Sequence, residues 1–127
     1  MKVKTSELTG LALDWAVAKA EGVECHVKKF PDDHRLYFCF RGADDGELYP
    51  FQVQFRPSTF WNHGGPIIER MKPTLEFIPT IGWRCALEYI DEKQVEIVEA
   101  ETPLIAAMRC YVASKLGEEV EIPEELK

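Results

Sequence analysis

Arg35-Leu36-Tyr37-Phe38-Cys39-Phe40-Arg41 places Leu36, Phe38 and Phe40 on one face of an extended chain and Tyr37 and Cys39 on the other. A strand apolar on both faces belongs inside a sheet, with a partner on each side. Upstream, Val23, Cys25 and Val27 alternate with Glu24, His26 and Lys28, and Pro31-Asp32-Asp33 turns the chain toward the central run. Downstream, Gly42-Ala43-Asp44-Asp45-Gly46 is a turn, after which Phe51, Val53 and Phe55 alternate with Gln52, Gln54 and Arg56. Pro50 has no N–H to donate, which confines the start of that return strand to an edge or a bulge.

The same period of two recurs later in the chain. Leu75 and Phe77 mark a short strand, and Trp83, Cys85, Leu87 and Tyr89 alternate with Arg84, Ala86 and Glu88. Asp91-Glu92-Lys93 then turns that strand into a partner over Val95 to Val98. Short connections of this kind join antiparallel neighbours.

Helical spacing occupies the two ends. The first helix is expected from about Ser6 to Glu21, with Thr5 or Ser6 as N-cap, Gly22 as stop, and Leu8, Leu11, Ala12, Trp15, Ala16 and Lys19 in helical register. Leu13 and Val17 add a second apolar flank, so this helix is buried on more than one side. The last helix carries the fullest set of signals: Thr102 as N-cap, Pro103 at the first helical position and Gly117 as stop, with Ile105, Met108, Val112 and Leu116 as its core stripe. The expected fold is therefore one α+β domain over residues 1–127, a mainly antiparallel sheet of five or six strands packed with two helices, N-terminal and C-terminal. Residues 118–127 read as an acidic tail that extends along the surface or moves freely.

Composition narrows the partners. The chain has 127 residues, 46% hydrophobic and 29% charged, an ordinary soluble balance. Its net charge of −7 opposes attraction to phosphate backbones and anionic lipid, so nucleic acid is a disfavoured partner. No uninterrupted apolar run reaches membrane-spanning or signal-peptide length, which points to the cytoplasm. Cys25, Cys39, Cys85 and Cys110 show no C-x-x-C spacing and read as small buried hydrophobes, reduced in that compartment. His26, His34 and His63 have no ligand spacing with the cysteines, so no metal is expected. Nucleophile-elbow, dinucleotide, phosphate-loop and zinc-protease motifs are all missing, and no cofactor or catalytic residue is assigned.

Pro57-Ser58-Thr59-Phe60-Trp61-Asn62-His63-Gly64-Gly65-Pro66 is the one stretch with no clear period, and it reads as a long loop leading to a strand at Ile67. Trp61 offers a stacking face, and glycines let a backbone approach a partner closely with its N–H groups exposed. The candidate binding residues are Phe60, Trp61, Asn62, His63, Gly64, Gly65, Pro66 and Arg70. In a purely structural reading Trp61 caps the core and Gly64-Gly65 makes a tight turn. Ser58 and His63 are the remote alternative, a nucleophile and base with no orienting carboxylate in view.

Three ordered blocks of this chain resemble the NinX-like family of lambdoid phage proteins. They are Thr5-Ser6-Glu7-Leu8-Thr9-Gly10 with Ala12 to Ala18, Pro57-Ser58-Thr59 with Trp61 and Gly64 to Arg70, and Thr102 to Ser114. The resemblance implies a phage or prophage protein made in the infected bacterium, from a family of unknown function with no catalytic residues to transfer. Its Trp-x-x-Gly-Gly-Pro block falls on the candidate loop. The expected function is a nonenzymatic cytoplasmic module that binds a host or phage protein through the Phe60 to Pro66 loop, with Phe60, Trp61 and Arg70 as its anchors. A small-ligand module for a nucleotide-like or planar anion is the alternative, and an unrecognised enzyme the third reading.

Overall fold

Thr102 opens the helix on which most of the chain packs. Its side-chain oxygen accepts the N–H of Ile105 at 3.1 Å, Pro103 fills the first helical position and Gly117 closes the last turn. This helix, α3 (Pro103–Leu116), is enclosed on nearly every side, with Leu104, Ala106, Ala107, Met108, Cys110, Tyr111 and Val112 buried. Three of those seven are small, which lets neighbouring elements come close.

The computed structural model describes all residues except 24, 31–32, 42–47, 89–94 and 127, and side chains outside 25–30, 33–41, 48–54, 88, 95 and 125. One antiparallel sheet, in the order β5 (Thr74–Ile78), β6 (Gly82–Glu88), β7 (Val95–Ala100), lies against α3. The register rows Leu75–Cys85–Val98 and Phe77–Trp83–Ala100 share the face toward the helix, where Cys85 and Val98 are buried. The opposite face carries the row Glu76–Arg84–Glu99, whose guanidinium lies 3.6 Å from Glu76 and 3.0 Å from Glu99.

On its other side α3 meets α1 (Gly10–Glu21), and α1 in turn meets a second antiparallel sheet, β2 (Cys25–Phe30), β3 (Asp33–Arg41), β4 (Leu48–Gln54). As its sequence predicts, β3 is the central strand, and Pro50 stands on an edge strand at a register shift between Tyr37 and Cys39. The turns predicted at 42–46 and 91–93, and the first two residues of the one at 31–33, lie outside the described residues, while Asp33 begins β3.

Four expectations need correction. First, the strands do not form one sheet with two helices: among the described residues eight strands make three antiparallel sheets around three helices. Second, the N-terminal helix does not begin at Ser6. Thr5–Glu7 make a single 3-10 turn, the chain extends through Leu8 and Thr9, and α1 starts at Gly10. The interruption is held by α3 and its end, since Arg109 Nε donates to the Leu8 carbonyl at 2.7 Å and the Thr5 hydroxyl donates to the Gly117 carbonyl at 2.7 Å.

Third, the acidic tail is tied down. β8 (Glu119–Glu121) pairs with β1 (Lys2–Lys4), and Val120, Ile122 and Leu126 are buried. Fourth, the breaker-rich stretch is neither a long loop nor the approach to a strand at Ile67. After a turn at Pro57–Thr59 the chain enters α2 (Trp61–Met71), which packs on α3. Gly64, Ile67, Ile68 and Met71 fall at i, i+3, i+4 and i+7, the stripe a helix needs to bury one face. Pro66 loses one intrahelical hydrogen bond, and that stripe outweighs the loss.

Candidate functional site

α2 sorts the predicted binding residues by face and by end. Phe60 is its N-cap and 39% exposed; Trp61, the first helical residue, is 56% exposed, and Asn62 beside it is exposed as well. The Arg56 guanidinium stands over the Phe60 ring at 5.1 Å from its centroid, a cation–π geometry that steadies the ring from outside.

His63 and Gly64 face inward. The His63 Nδ1 accepts the Arg56 backbone N–H at 3.0 Å, and its ring stacks on Phe55 at 6.0 Å and meets Phe60 at 5.6 Å. Burial holds its pKa below the usual histidine value, favouring a neutral ring with Nδ1 as acceptor. Gly64 is there because nothing larger fits: a Cβ would stand 2.4 Å from the Pro57 carbonyl oxygen and 2.7 Å from Leu104 Cδ2. Its N–H is taken by the Phe60 carbonyl at 3.0 Å, so it is not the ligand-facing donor the loop reading supposed. Around Gly65 the space is open, and Pro66 is exposed on the outer face.

Arg70 does not join the aromatic residues. Nine positions along a helix place it about 14 Å from Trp61, where its guanidinium pairs with Glu21 at the end of α1. The Tyr111 hydroxyl donates to the other Glu21 oxygen at 2.5 Å. Burial works to raise the Glu21 pKa, but hydrogen bonds from Arg70 and Tyr111, with the charges of Arg70 and Lys115, outweigh it and hold this carboxyl below its usual range. Tyr111 is pushed the other way, up to about 12, by burial and by the carboxylate it faces. This three-helix cluster borders a cleft of about 360 Å³ lined by Ile67, Arg70, Met71, Leu87, Tyr111, Ser114 and Lys115. Sequence reasoning found Arg70 alone of these, because Glu21 and Tyr111 lie 49 and 90 positions from their partners and leave no local signature.

Ser58 and His63 are not assembled as nucleophile and base. Ser58 is buried, its N–H donates to Asp14 Oδ1 at 2.8 Å and its hydroxyl bonds the same carboxylate, while His63 Nδ1 is occupied by Arg56. Among the described residues no group of three or more His, Cys, Asp and Glu is placed to hold a metal ion, and no helix is long and apolar enough to cross a membrane. Cys85 and Cys110 are buried free thiols; Cys110 Sγ lies 3.6 Å from the Glu96 carbonyl.

The exposed apolar side chains concentrate at one end. Gly64 against Leu104 sets the start of α2 beside the start of α3. The register pair Trp83–Ala100 brings the β5–β6 hairpin to the same end, where Phe77 is 59% and Ile81 44% exposed. Four of the six exposed large hydrophobics among the described residues, Phe60, Trp61, Phe77 and Ile81, therefore lie on the two elements whose ends meet the chain near the start of α3. Fold and surface define a small α+β domain with an aromatic end and a separate polar-rimmed cleft. The chain belongs to the family described as "Bacteriophage P22, NinX", whose model matches residues 4–115. A comparison with curated proteins gives no match.

Proposed function

We propose that this phage protein is a nonenzymatic accessory module that binds a host or phage protein in the bacterial cytoplasm, with Phe60 and Trp61 as its anchor. The observation that carries this reading is the exposure of Trp61, more than half of its surface, on the first turn of a helix fixed from beneath. Gly64 wedges α2 against Leu104 and the Pro57 turn, and Asp14 ties down Ser58. A large aromatic ring carried on a fixed backbone has only two side-chain torsions to order on binding, and Trp and Arg recur among residues that dominate interface energetics. Arg56 over Phe60 supplies the cation beside that ring, and Phe77 and Ile81 extend apolar surface around the same end.

The test is a tagged pull-down from infected and uninfected bacterial lysate, comparing the native chain with Trp61→Ala and with Ile97→Ala. Ile97 is 58% exposed, on the strand face opposite α3, and serves as a remote control. A stoichiometric partner kept by Ile97→Ala and lost with Trp61→Ala is the expected result. Identical partners for all three folded proteins would remove the aromatic end from consideration.

A further inference from the structure

The cleft between the later turns of α2 and α3 lies apart from the aromatic end, and its lining is of mixed character. Ile67, Met71 and Leu87 contribute apolar surface, while Arg70, Ser114 and Lys115 contribute polar groups. A volume of about 360 Å³ falls at the small end of the range of ligand pockets.

The cluster beside the cleft already recognises one carboxylate, that of Glu21. Arg70 pairs with it, Tyr111 donates to it at 2.5 Å, and Lys115 adds its charge. Arg70 has donors to spare. Of the five N–H groups of a guanidinium, one serves Glu21 and another reaches the Pro66 carbonyl at 3.4 Å. Two cations against one carboxylate give this rim a net positive side-chain charge in a chain of net −7, so a small anion meets attraction here and repulsion over the protein as a whole. The Tyr111–Glu21–Arg70 chain also fixes the guanidinium before anything binds, lowering the ordering cost of a second carboxylate.

We propose that this cleft binds a small amphipathic carboxylate, its head group on Arg70 and Lys115 and its apolar body against Ile67, Met71 and Leu87. The site is independent of the protein-binding reading, since it shares no residue with the aromatic end.

Decanoate, decanol and acetate are the probes, titrated by calorimetry into the native chain, Lys115→Gln and Trp61→Ala. Lys115 is exposed and the Glu21–Arg70 pair survives its replacement, so the variant folds. Decanoate should bind one to one, roughly tenfold or more tighter than decanol, the ratio that one charge-assisted contact supplies. Acetate should bind too weakly to saturate. Lys115→Gln should weaken decanoate about tenfold and leave decanol unchanged, and Trp61→Ala should change neither. The position is read independently from methyl-labelled methionine spectra: Met71 should shift with decanoate, while Met1 and buried Met108 stay still. No saturable decanoate binding, equal binding of decanol, indifference to Lys115→Gln, loss with Trp61→Ala, or an unmoved Met71 methyl would each overturn the proposal.

Discussion

Asp14 in the middle of α1 accepts the backbone N–H of Ser58 at 2.8 Å, and both residues are buried. This bond anchors the turn that precedes α2 to a helix 44 positions away, and through that turn it sets where Phe60 and Trp61 emerge. Burial lifts the Asp14 carboxyl from 3.8 to about 6, against hydrogen bonds from Ser58 and the charge of Arg56, which pull it down.

The raised value makes a pH prediction with a definite sign. Between about pH 4 and pH 6 the folded chain holds a proton on Asp14 that the unfolded chain has released, so this group's contribution to stability falls as pH rises through that window. The difference at neutral pH is on the order of 3 kcal/mol, from about two pKa units. Asp14→Asn keeps an acceptor for the Ser58 N–H without the charge. It should gain on the native chain as pH rises from about 4 to 6 and level off above. His63, whose pKa is depressed by burial, acts oppositely, because its stabilising effect is lost as pH falls below its unfolded value. Denaturant unfolding of both proteins across this range isolates Asp14, since His63 is common to the two. A constant gap between them would show that Asp14 does not titrate there. Asp14→Ala leaves a buried N–H without its acceptor and should cost roughly 1–3 kcal/mol.

Gly64 and Gly65 are neighbours in sequence and opposites in environment. Gly64→Ala must push apart the Pro57 carbonyl and the Leu104 side chain, the first of which is backbone and cannot swing away. A loss of about 1–3 kcal/mol is expected, as for other overpacked positions. Gly65→Ala meets nothing within 4 Å beyond its chain neighbours, but Gly65 directly precedes Pro66 inside the helix, and a proline ring crowds a Cβ on the helical residue before it. That crowding offsets the gain in helix propensity, up to about 1 kcal/mol, so the net change should be small beside that of Gly64→Ala. Thermal melts of the two variants read this directly, and equal effects would contradict the packing of α2 on α3.

These residues also show where the sequence was legible. Thr102, Pro103 and Gly117 specify α3 because caps act within a single turn of chain, and the Leu36–Phe40 alternation marks a central strand because β-structure repeats every two residues. α2 was missed because Gly64, Gly65 and Pro66 are read as breakers by local rules, while the stripe Gly64, Ile67, Ile68, Met71 has meaning only once α3 supplies a surface to bury it on. A periodicity count that admitted glycine as a contact residue would have found it. The candidate residues divided for the same reason: Phe60 and Trp61 remain at the surface as a pair, whereas His63 and Gly64 turn inward and Arg70 is carried to the far end of the helix. Glu21, Tyr111 and Lys115 had no spacing to betray them, since the cluster exists only through the meeting of three helices.

The C-terminal segment supplies the last prediction, and here charge and packing make different forecasts. Read as an acidic tail, 118–127 could be removed without harm. In the structure Val120, Ile122 and Leu126 are 4%, 1% and 6% exposed, and β8 pairs with β1. Burying three aliphatic side chains is worth roughly 5–9 kcal/mol before allowing for the partly compact unfolded chain, comparable with the whole stability of an ordinary domain. A chain ending at Gly117 should therefore lose its cooperative melt at room temperature or unfold outright. Neutralising the exposed acids instead, as in Glu118→Gln, Glu119→Gln, Glu124→Gln, removes charge and leaves the apolar contacts, and the melt should move little. If truncation is harmless, the β1–β8 pair is not part of the cooperative fold. If the charge-neutral variant is as damaged as the truncation, the acids and not the three buried side chains hold the segment in place.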